Sequence, residues 1–427
     1  MSIFGTKSKS ETKIAFVSPH DYKGGASKIG YNLFNGFRDR GYNVRYFVGK
    51  KSLEDNDIEQ IVKHTYRFGK FLGKLIKLIN RELGIENFYY PNSSKTLIAW
   101  KPDLIHFHNI QGNYFDIREL RKISKHTPVV FTLHDPWMFT GHCSYFIECD
   151  RWKTGCGKCP DLKRRPSLKR DNTAFNWKRK KNVYNNSKFY VTAPSNWLLQ
   201  QANHSILKNG MKMPTLINNG VDHQVFKPKD ATILRQKLNI ENDEIVLLYV
   251  VSSNLSSNPY KDFNTISKCI SFIENNNKSD KKFTLIAIGE EKPEIHENGV
   301  RKLYIGYLTK AESIADYFNI ADLYLHAARA ENYPNVVMEA LSSGTPCIVT
   351  KTGGVPEQII ENKTGCVVPY EDYKAMALKV LELSVNPIKL TNAGNKARTW
   401  IIKQHKIKNM VEEYENFYES VLIDQNK

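Results

Sequence analysis

No run of about 18 or more apolar residues occurs in this 427-residue sequence, so no segment is patterned to span a membrane as a helix. The opening residues, Met1 to Ser10, hold no apolar stretch of the kind a secretory signal needs, and a cytoplasmic address is expected. No short internal repeat is evident. Acidic residues are in short supply. Against 62 Lys and Arg stand 44 Asp and Glu, a net charge of +18. That excess suits nucleic acid, an anionic membrane or a phosphorylated substrate, and equally a lysine-rich chain that binds none of them. Cysteines number only seven, and in a cytoplasmic chain they are reduced thiols or metal ligands sooner than disulfides. A hydrophobic fraction of 41% and a charged fraction of 25% exclude a disordered or fibrous chain, and the length suits two domains.

Short apolar runs alternate with helical patterns almost throughout, the arrangement of parallel sheets covered by helices. Strands are predicted at 13–19, 43–48, 103–108, 128–134 and 188–193, then at 244–251, 283–288, 303–305, 323–326 and 346–350, with a helix over 27–40. Runs such as Ile245 to Val251 are apolar on both faces, as strands buried on both sides require. Asn219-Gly220 and Pro228 are turn signals, and the domain hinge is placed there. The expected fold class is α/β, with two doubly wound Rossmann-like domains, 1–217 and 218–398, facing a central cleft. A tail over 399–427 is predicted to be a helix packing back on the body, since Trp400, Ile401, Met410, Val411, Tyr414, Phe417, Tyr418 and Val421 keep helical spacing. A ligand is expected at the carboxyl ends of the strands.

The segment Ala330 to Pro346 follows the strand 323–326. Pro334 and Asn335 suit a helix start, and Gly344 with Pro346 its end. Glu331 then lies in the loop and Glu339 more than one turn into the helix. Free N–H groups at such a helix start hold phosphate, and carboxylates accept hydrogen bonds from sugar hydroxyls. Two glutamates with seven residues between them, followed by Gly-Thr-Pro, resemble the family four glycosyltransferases. Val355-Pro-Glu-Gln-Ile-Ile-Glu361, Thr364-Gly-Cys-Val-Val-Pro369 and Asn219-Gly-Val-Asp222 continue the resemblance, which covers nearly the whole chain. It implies the two-domain GT-B fold, with an acceptor-side first domain and a nucleotide-sugar-binding second one, and transfer with retention of configuration. By that resemblance Glu331 touches the transferred sugar and Glu339 the ribose, with Asn332 and Asn335 also on the donor side.

Gly24 and Gly25, between the first strand and first helix, allow close backbone approach to a ligand, and the family carries a Gly-Gly loop there. Lys261 resembles the family's phosphate-binding lysine, whose ammonium favours the departing diphosphate. The family's arginine about five residues earlier is replaced by Ser256. His134 closes a predicted strand where the family places a histidine near the donor sugar. It completes the catalytic set His134, Glu331 and Lys261. His106, His108 and Asp135 are expected on the acceptor side.

Four cysteines, Cys143, Cys149, Cys156 and Cys159, fall in the stretch 141–160, and Cys156 with Cys159 forms a Cys-x-x-Cys knuckle. Four thiolates make a closed structural zinc site, with reduced thiols or a disulfide as the alternatives. No cofactor is expected in catalysis. The Thr-Gly-His-Cys and Gly-Cys-Gly-x-Cys-Pro pattern resembles the colanic-acid-type transferases of exopolysaccharide and O-antigen synthesis. Residues 67–81 pattern as a basic amphipathic helix, suited either to an anionic bilayer or to a core with a solvated lysine face. A second basic cluster runs from Lys163 to Lys181. It suits lipid headgroups or the diphosphate of a lipid-linked acceptor, or a loop that binds nothing.

The expectation is a retaining glycosyltransferase of bacterial surface polysaccharide synthesis, acting from a UDP- or GDP-sugar on a glycan or lipid-linked acceptor. It would work in the cytoplasm or at the inner membrane face, without nucleic acid as partner. Two rivals stay open: a nucleotide-sugar epimerase of the same architecture, and a zinc-containing nucleic-acid-binding protein.

Overall fold

Seven parallel strands form the first sheet, and their sequences explain their place. A computed structural model describes residues 7–61, 70–86, 93–251, 258–297 and 299–425. The strands are β1 (Lys13–His20), β2 (Asn43–Lys50), β3 (Ile58–Gln60), β4 (Leu104–His108), β5 (Val129–Thr132), β6 (Phe189–Ala193) and β7 (Met211–Leu216). They lie in the order β3-β2-β1-β4-β5-β6-β7. Ile14 to Val17 are fully buried, as are the side chains of β5 and β6 nearly throughout, because helices cover both faces. The order reverses between β1 and β4, the kind of switch point at which ligands bind in doubly wound sheets.

The second sheet repeats the plan with β8 (Ile245–Val250), β9 (Phe283–Ile288), β10 (Lys292–Glu297), β11 (Val300–Ile305), β12 (Leu323–His326), β13 (Cys347–Thr350) and β14 (Gly365–Val368). Its order is β10-β11-β9-β8-β12-β13-β14, and the reversal falls between β8 and β12. All pairs are parallel except β10 with β11. Four strands escaped the sequence reading. β3 is three residues long, β7 is half exposed and contains Pro214, and β10 reads Lys-Pro-Glu-Ile-His-Glu, a polar edge. β14 was visible only as part of a motif.

The chain divides into two compact units, one of residues 1–219 with 407–427 and one of 220–406. The predicted single tail helix is therefore two helices, Pro387–Gln404 and Ile407–Gln425. The break has a cause. His405 gives its carbonyl to the N–H of Val221 at 2.8 Å, and Lys406 bridges Val221 as a one-residue strand, so helix geometry is abandoned there. The last helix buries Met410, Val411, Tyr414, Phe417, Tyr418 and Val421 in the first unit. Its close approach to the helix Gly25–Asp39 needs Gly36, where a Cβ would stand 2.4 Å from a Val411 methyl.

No helix among the described residues is long and apolar enough to cross a membrane. The helix Lys70–Glu82 exposes Leu75, Leu78 and Ile79 at 42%, 47% and 46%. Their spacing puts them on one face, beside exposed Lys74, Lys77 and Arg81. Arg67 and Phe68 of the predicted amphipathic stretch lie outside the described residues.

Candidate active site

In the second unit, two loops leave the carboxyl ends of the neighbouring strands β8 and β12 and fasten to each other. Lys261 pairs with Ala328 as an isolated antiparallel bridge. The Asp262 N–H donates to Ala327 O at 3.2 Å, and the Arg329 N–H to Tyr260 O at 2.8 Å. Asp262 also caps the helix Phe263–Asn276, accepting from the Thr265 N–H at 3.1 Å and the Thr265 hydroxyl at 2.5 Å. The Lys261 backbone is thus held on both sides, by the bonds that Tyr260 and Asp262 make to the loop after β12. Its ammonium donates to Glu331 at 2.5 Å, and both side chains are about one-sixth exposed, at 14% and 16%.

Glu331 leads into the helix Asn335–Ser342, with Pro334 at its N-cap. The Asn332 and Glu339 side chains are buried. Gln358 Nε2 donates to Pro334 O at 3.0 Å and braces the helix entry. Tyr324 of β12 is pushed well above the usual tyrosine range, first by burial and then by neighbours that include Glu339 and Glu331. His326 was missed by the sequence reading. Burial, with the Lys261 ammonium adding to it, holds this imidazole well below the usual histidine range. A histidine closing a strand beside the switch point was the signal. Ser256 lies outside the described residues.

In the first unit, Gly24 has φ 94° and ψ 159°, a conformation essentially restricted to glycine, and opens the helix Gly25–Asp39. The loop is anchored by Asp21, whose carboxylate accepts from the N–H groups of Tyr22, Ser52 and Leu53 and from the Ser52 hydroxyl. Burial works to raise that carboxyl, and these hydrogen bonds outweigh it and hold it below its ordinary value.

His106, His108 and His134 come together at the ends of β4 and β5. His108 Nδ1 lies 3.0 Å from His134 Nε2, and the rings of His106 and His108 are 4.2 Å apart. His106 reaches Thr132 Oγ1 at 2.7 Å and the Tyr418 hydroxyl at 2.5 Å. Thr132 in turn meets the Tyr414 hydroxyl at 2.6 Å and Thr192 at 2.9 Å. The last helix thus supplies two tyrosines to the floor of this site, which spacing alone marked only as core.

Asp135 is a cap more than a ligand. It accepts from the Trp137 N–H at 2.8 Å, Gln111 Nε2 at 2.8 Å and Asn109 Nδ2 at 3.3 Å, and burial raises its carboxyl to about 6. Beneath the same turn lies Lys180. Though part of the predicted basic cluster, it is wholly buried, 3.0 Å from Glu86 and 3.6 Å from the centre of the Trp137 ring. It donates to Trp137 O and Thr140 O at 2.8 and 3.1 Å.

All four loop cysteines line one small cavity of about 20 Å³, with His142 at its wall. His142 Nε2 lies 3.4 Å from Cys159 Sγ, and the Gly141 N–H donates to Cys156 Sγ at 3.3 Å. The thiols are free, and burial raises Cys143 to about 12 and Cys156 to about 11. Among the described residues no three His, Cys, Asp or Glu side chains already stand as a metal-ligand set. The donor chemistry fits zinc, and the present spacing does not yet close around it. The loop also has holds of its own: Phe146 stacks on Trp152 at 5.0 Å, the Cys159 N–H donates to Asp171 at 2.6 Å, and the Gly157 N–H to Thr173 at 2.8 Å.

Residues 23–225 match the family described as Glycosyltransferase Family 4, and residues 230–400 the family described as Glycosyl transferases group 1. A protein named as a colanic acid biosynthesis glycosyl transferase, WcaC of Escherichia coli, is 25% identical over 93% of this chain and 97% of its own. The N-acetyl-alpha-D-glucosaminyl L-malate synthase of Bacillus anthracis is 27% identical over 55% of this chain and 60% of its own. Among solved structures, sucrose-phosphate synthase of Thermosynechococcus elongatus superposes with a TM-score of 0.68 at 17% identity, over 97% of this chain and all of the other. HepE of Anabaena in complex with UDP gives 0.66 at 16%, over 96% of this chain and all of the other. With both family matches placed end to end on two Rossmann-like sheets, the chain belongs to the group 1, family 4-like glycosyltransferases of the GT-B fold.

Proposed function

We propose that the protein moves a sugar from a nucleoside-diphosphate sugar, with retention of configuration, to a glycan or lipid-linked acceptor of surface polysaccharide synthesis. The observation that carries this reading is the Lys261–Glu331 contact at the switch point of the second sheet, next to a helix start. An ammonium beside the positive end of a helix suits a diphosphate, and the adjoining carboxylates suit hydroxyl donors. As the glycosidic bond breaks, negative charge grows on the diphosphate, and a fixed cation favours that state over the bound substrate. The role at the transferred sugar that the family resemblance gives His134 is part of the same reading. The structure of HepE with UDP-glucose supports the donor class, and the name of the colanic acid relative supports the acceptor class.

The test is a thermal-shift screen with UDP-, GDP- and ADP-sugars, followed by hydrolysis of the preferred donor. A nucleoside diphosphate released in step with free sugar is the expected result, and no shift with any donor counts against it.

Two further parts belong to this reading. Leu75, Leu78 and Ile79, flanked by Lys74, Lys77 and Arg81, fit the surface of an anionic membrane. Co-sedimentation with vesicles containing anionic lipid, and none with neutral vesicles, is expected; equal sedimentation with both refutes it. The four cysteines 143, 149, 156 and 159 are the residues that would hold a structural zinc, since they line one atom-sized cavity.

A further inference from the structure

Lys261 carries one positive charge, and two groups call on it. Its Nζ donates to Glu331 Oε2 at 2.5 Å, and the function proposed above gives the same ammonium to a diphosphate. Two other basic side chains of this corner are otherwise committed. His326 is held neutral by burial, with the Lys261 ammonium adding to it, and Arg329 turns to Glu371 at 3.4 Å. The Lys261 backbone is fastened on both sides to the loop after β12, so the side-chain torsions alone carry Nζ from one partner to the other.

The two claims compete. Lys261 and Glu331 are 14% and 16% exposed, so water screens their charges only in part. With Glu331 still in place, a phosphate oxygen bonded to Nζ would stand about 5 Å from the carboxylate, and like charges that close repel. Nζ is therefore drawn from the carboxylate to the phosphate, and Oε2 loses a charged donor. A nucleoside diphosphate leaves that loss in place. A nucleotide sugar does not, because its sugar hydroxyls are donors and a carboxylate oxygen accepts from them.

We propose that Glu331 sets a preference for the intact nucleotide sugar over the nucleoside diphosphate. Either ligand must take Lys261 from Glu331, and only the sugar returns a donor to Oε2. This rests on the donor site of the function proposed above. It also gives the pair a part in product release. Once the sugar has left, Glu331 competes with the remaining diphosphate for Lys261, and the nucleotide is held less firmly than the donor was.

The experiment titrates the full chain with UDP and GDP, and with UDP-glucose and GDP-mannose, and takes the ratio of nucleoside diphosphate Kd to nucleotide-sugar Kd. Glu331→Gln should tighten the nucleoside diphosphate about 5-fold and leave the nucleotide sugar unchanged or weaker, so the ratio falls about 5-fold or more. Glu331→Ala, which offers Lys261 no amide oxygen, should do the same. Removing a carboxylate also relieves simple repulsion of an anion, and Lys261→Ala separates the two causes. Without Lys261 there is no pair to break, so adding Glu331→Gln to Lys261→Ala should leave the nucleoside diphosphate affinity as it is. Equal tightening with and without Lys261 overturns the proposal, and so does an unchanged ratio in a folded Glu331 variant. In both cases the donor site itself stands if Lys261→Ala weakens the nucleotide sugar. Failure of all four ligands to bind removes the donor reading and this proposal together.

Discussion

Lys261 Nζ stands 2.5 Å from Glu331 Oε2, joining the loops that follow β8 and β12, the two strands between which the second sheet reverses its order. The pair is partly open to solvent, so its loss should cost stability little, on the order of 1 kcal/mol. Transition-state charge is another matter. Lys261→Ala and Glu331→Gln should each lower donor turnover about 10²- to 10³-fold, the loss typical of removing a preorganised electrostatic contact. Turnover and urea midpoint measured on the same preparations check this. Should either variant lose activity only in proportion to its unfolded fraction, its role is wrong.

Lys180 and Glu86 make the opposite case. Both are buried, and Lys180 also holds the carbonyls of Trp137 and Thr140, which bracket the turn between His134 and the cysteine loop. Lys180→Met leaves a carboxylate without its partner and should cost about 3–5 kcal/mol. Adding Glu86→Gln should restore part of that, because the uncompensated charge is gone. Equal destabilisation in single and double variants would show that packing, not the ion pair, is what matters there.

The second unit was readable because its chemistry is local. Glu331, Pro334, Asn335 and Glu339 sit within one loop and one helix, so spacing alone set their relation, and across the two units ten strands could be found from buried apolar runs. The misses have physical reasons as well. His106 meeting Tyr418 joins residues 312 apart, and no periodicity encodes that. Lys180 belongs to a basic run, and only its contacts with Glu86 and Trp137 show it is interior. The tail break at His405 depends on pairing with distant Val221.

The histidine cluster predicts acid sensitivity. Burial pulls His134 to about 3 and holds His106 and His108 well below the ordinary value. Below about pH 6.5 the unfolded chain takes up these protons and the folded chain does not. Their stabilising effect is therefore complete above that pH and is lost as the pH falls toward 3. His134→Gln should flatten the dependence of unfolding free energy on pH between 6 and 4 by about 1.4 kcal/mol per pH unit. An unaltered slope in denaturant titrations would mean His134 is free to protonate in the folded protein.

Metal analysis addresses the cysteine loop. With the four thiols closed around one ion, the purified chain should carry about one zinc, and chelation should release it while exposing thiols to a reagent. Cys156→Ser should lose the metal. A metal-free protein whose cysteines react freely without chelator would leave the aromatic and Asp171 contacts as the loop's whole support.

The most direct measurement is a proton NMR time course of donor hydrolysis by the wild-type chain and by Lys261→Ala. The account predicts that an α-linked donor first yields the α-anomer of the free sugar together with nucleoside diphosphate, and that Lys261→Ala releases neither at a comparable rate. First appearance of the β-anomer, or an undiminished rate without Lys261, would contradict it.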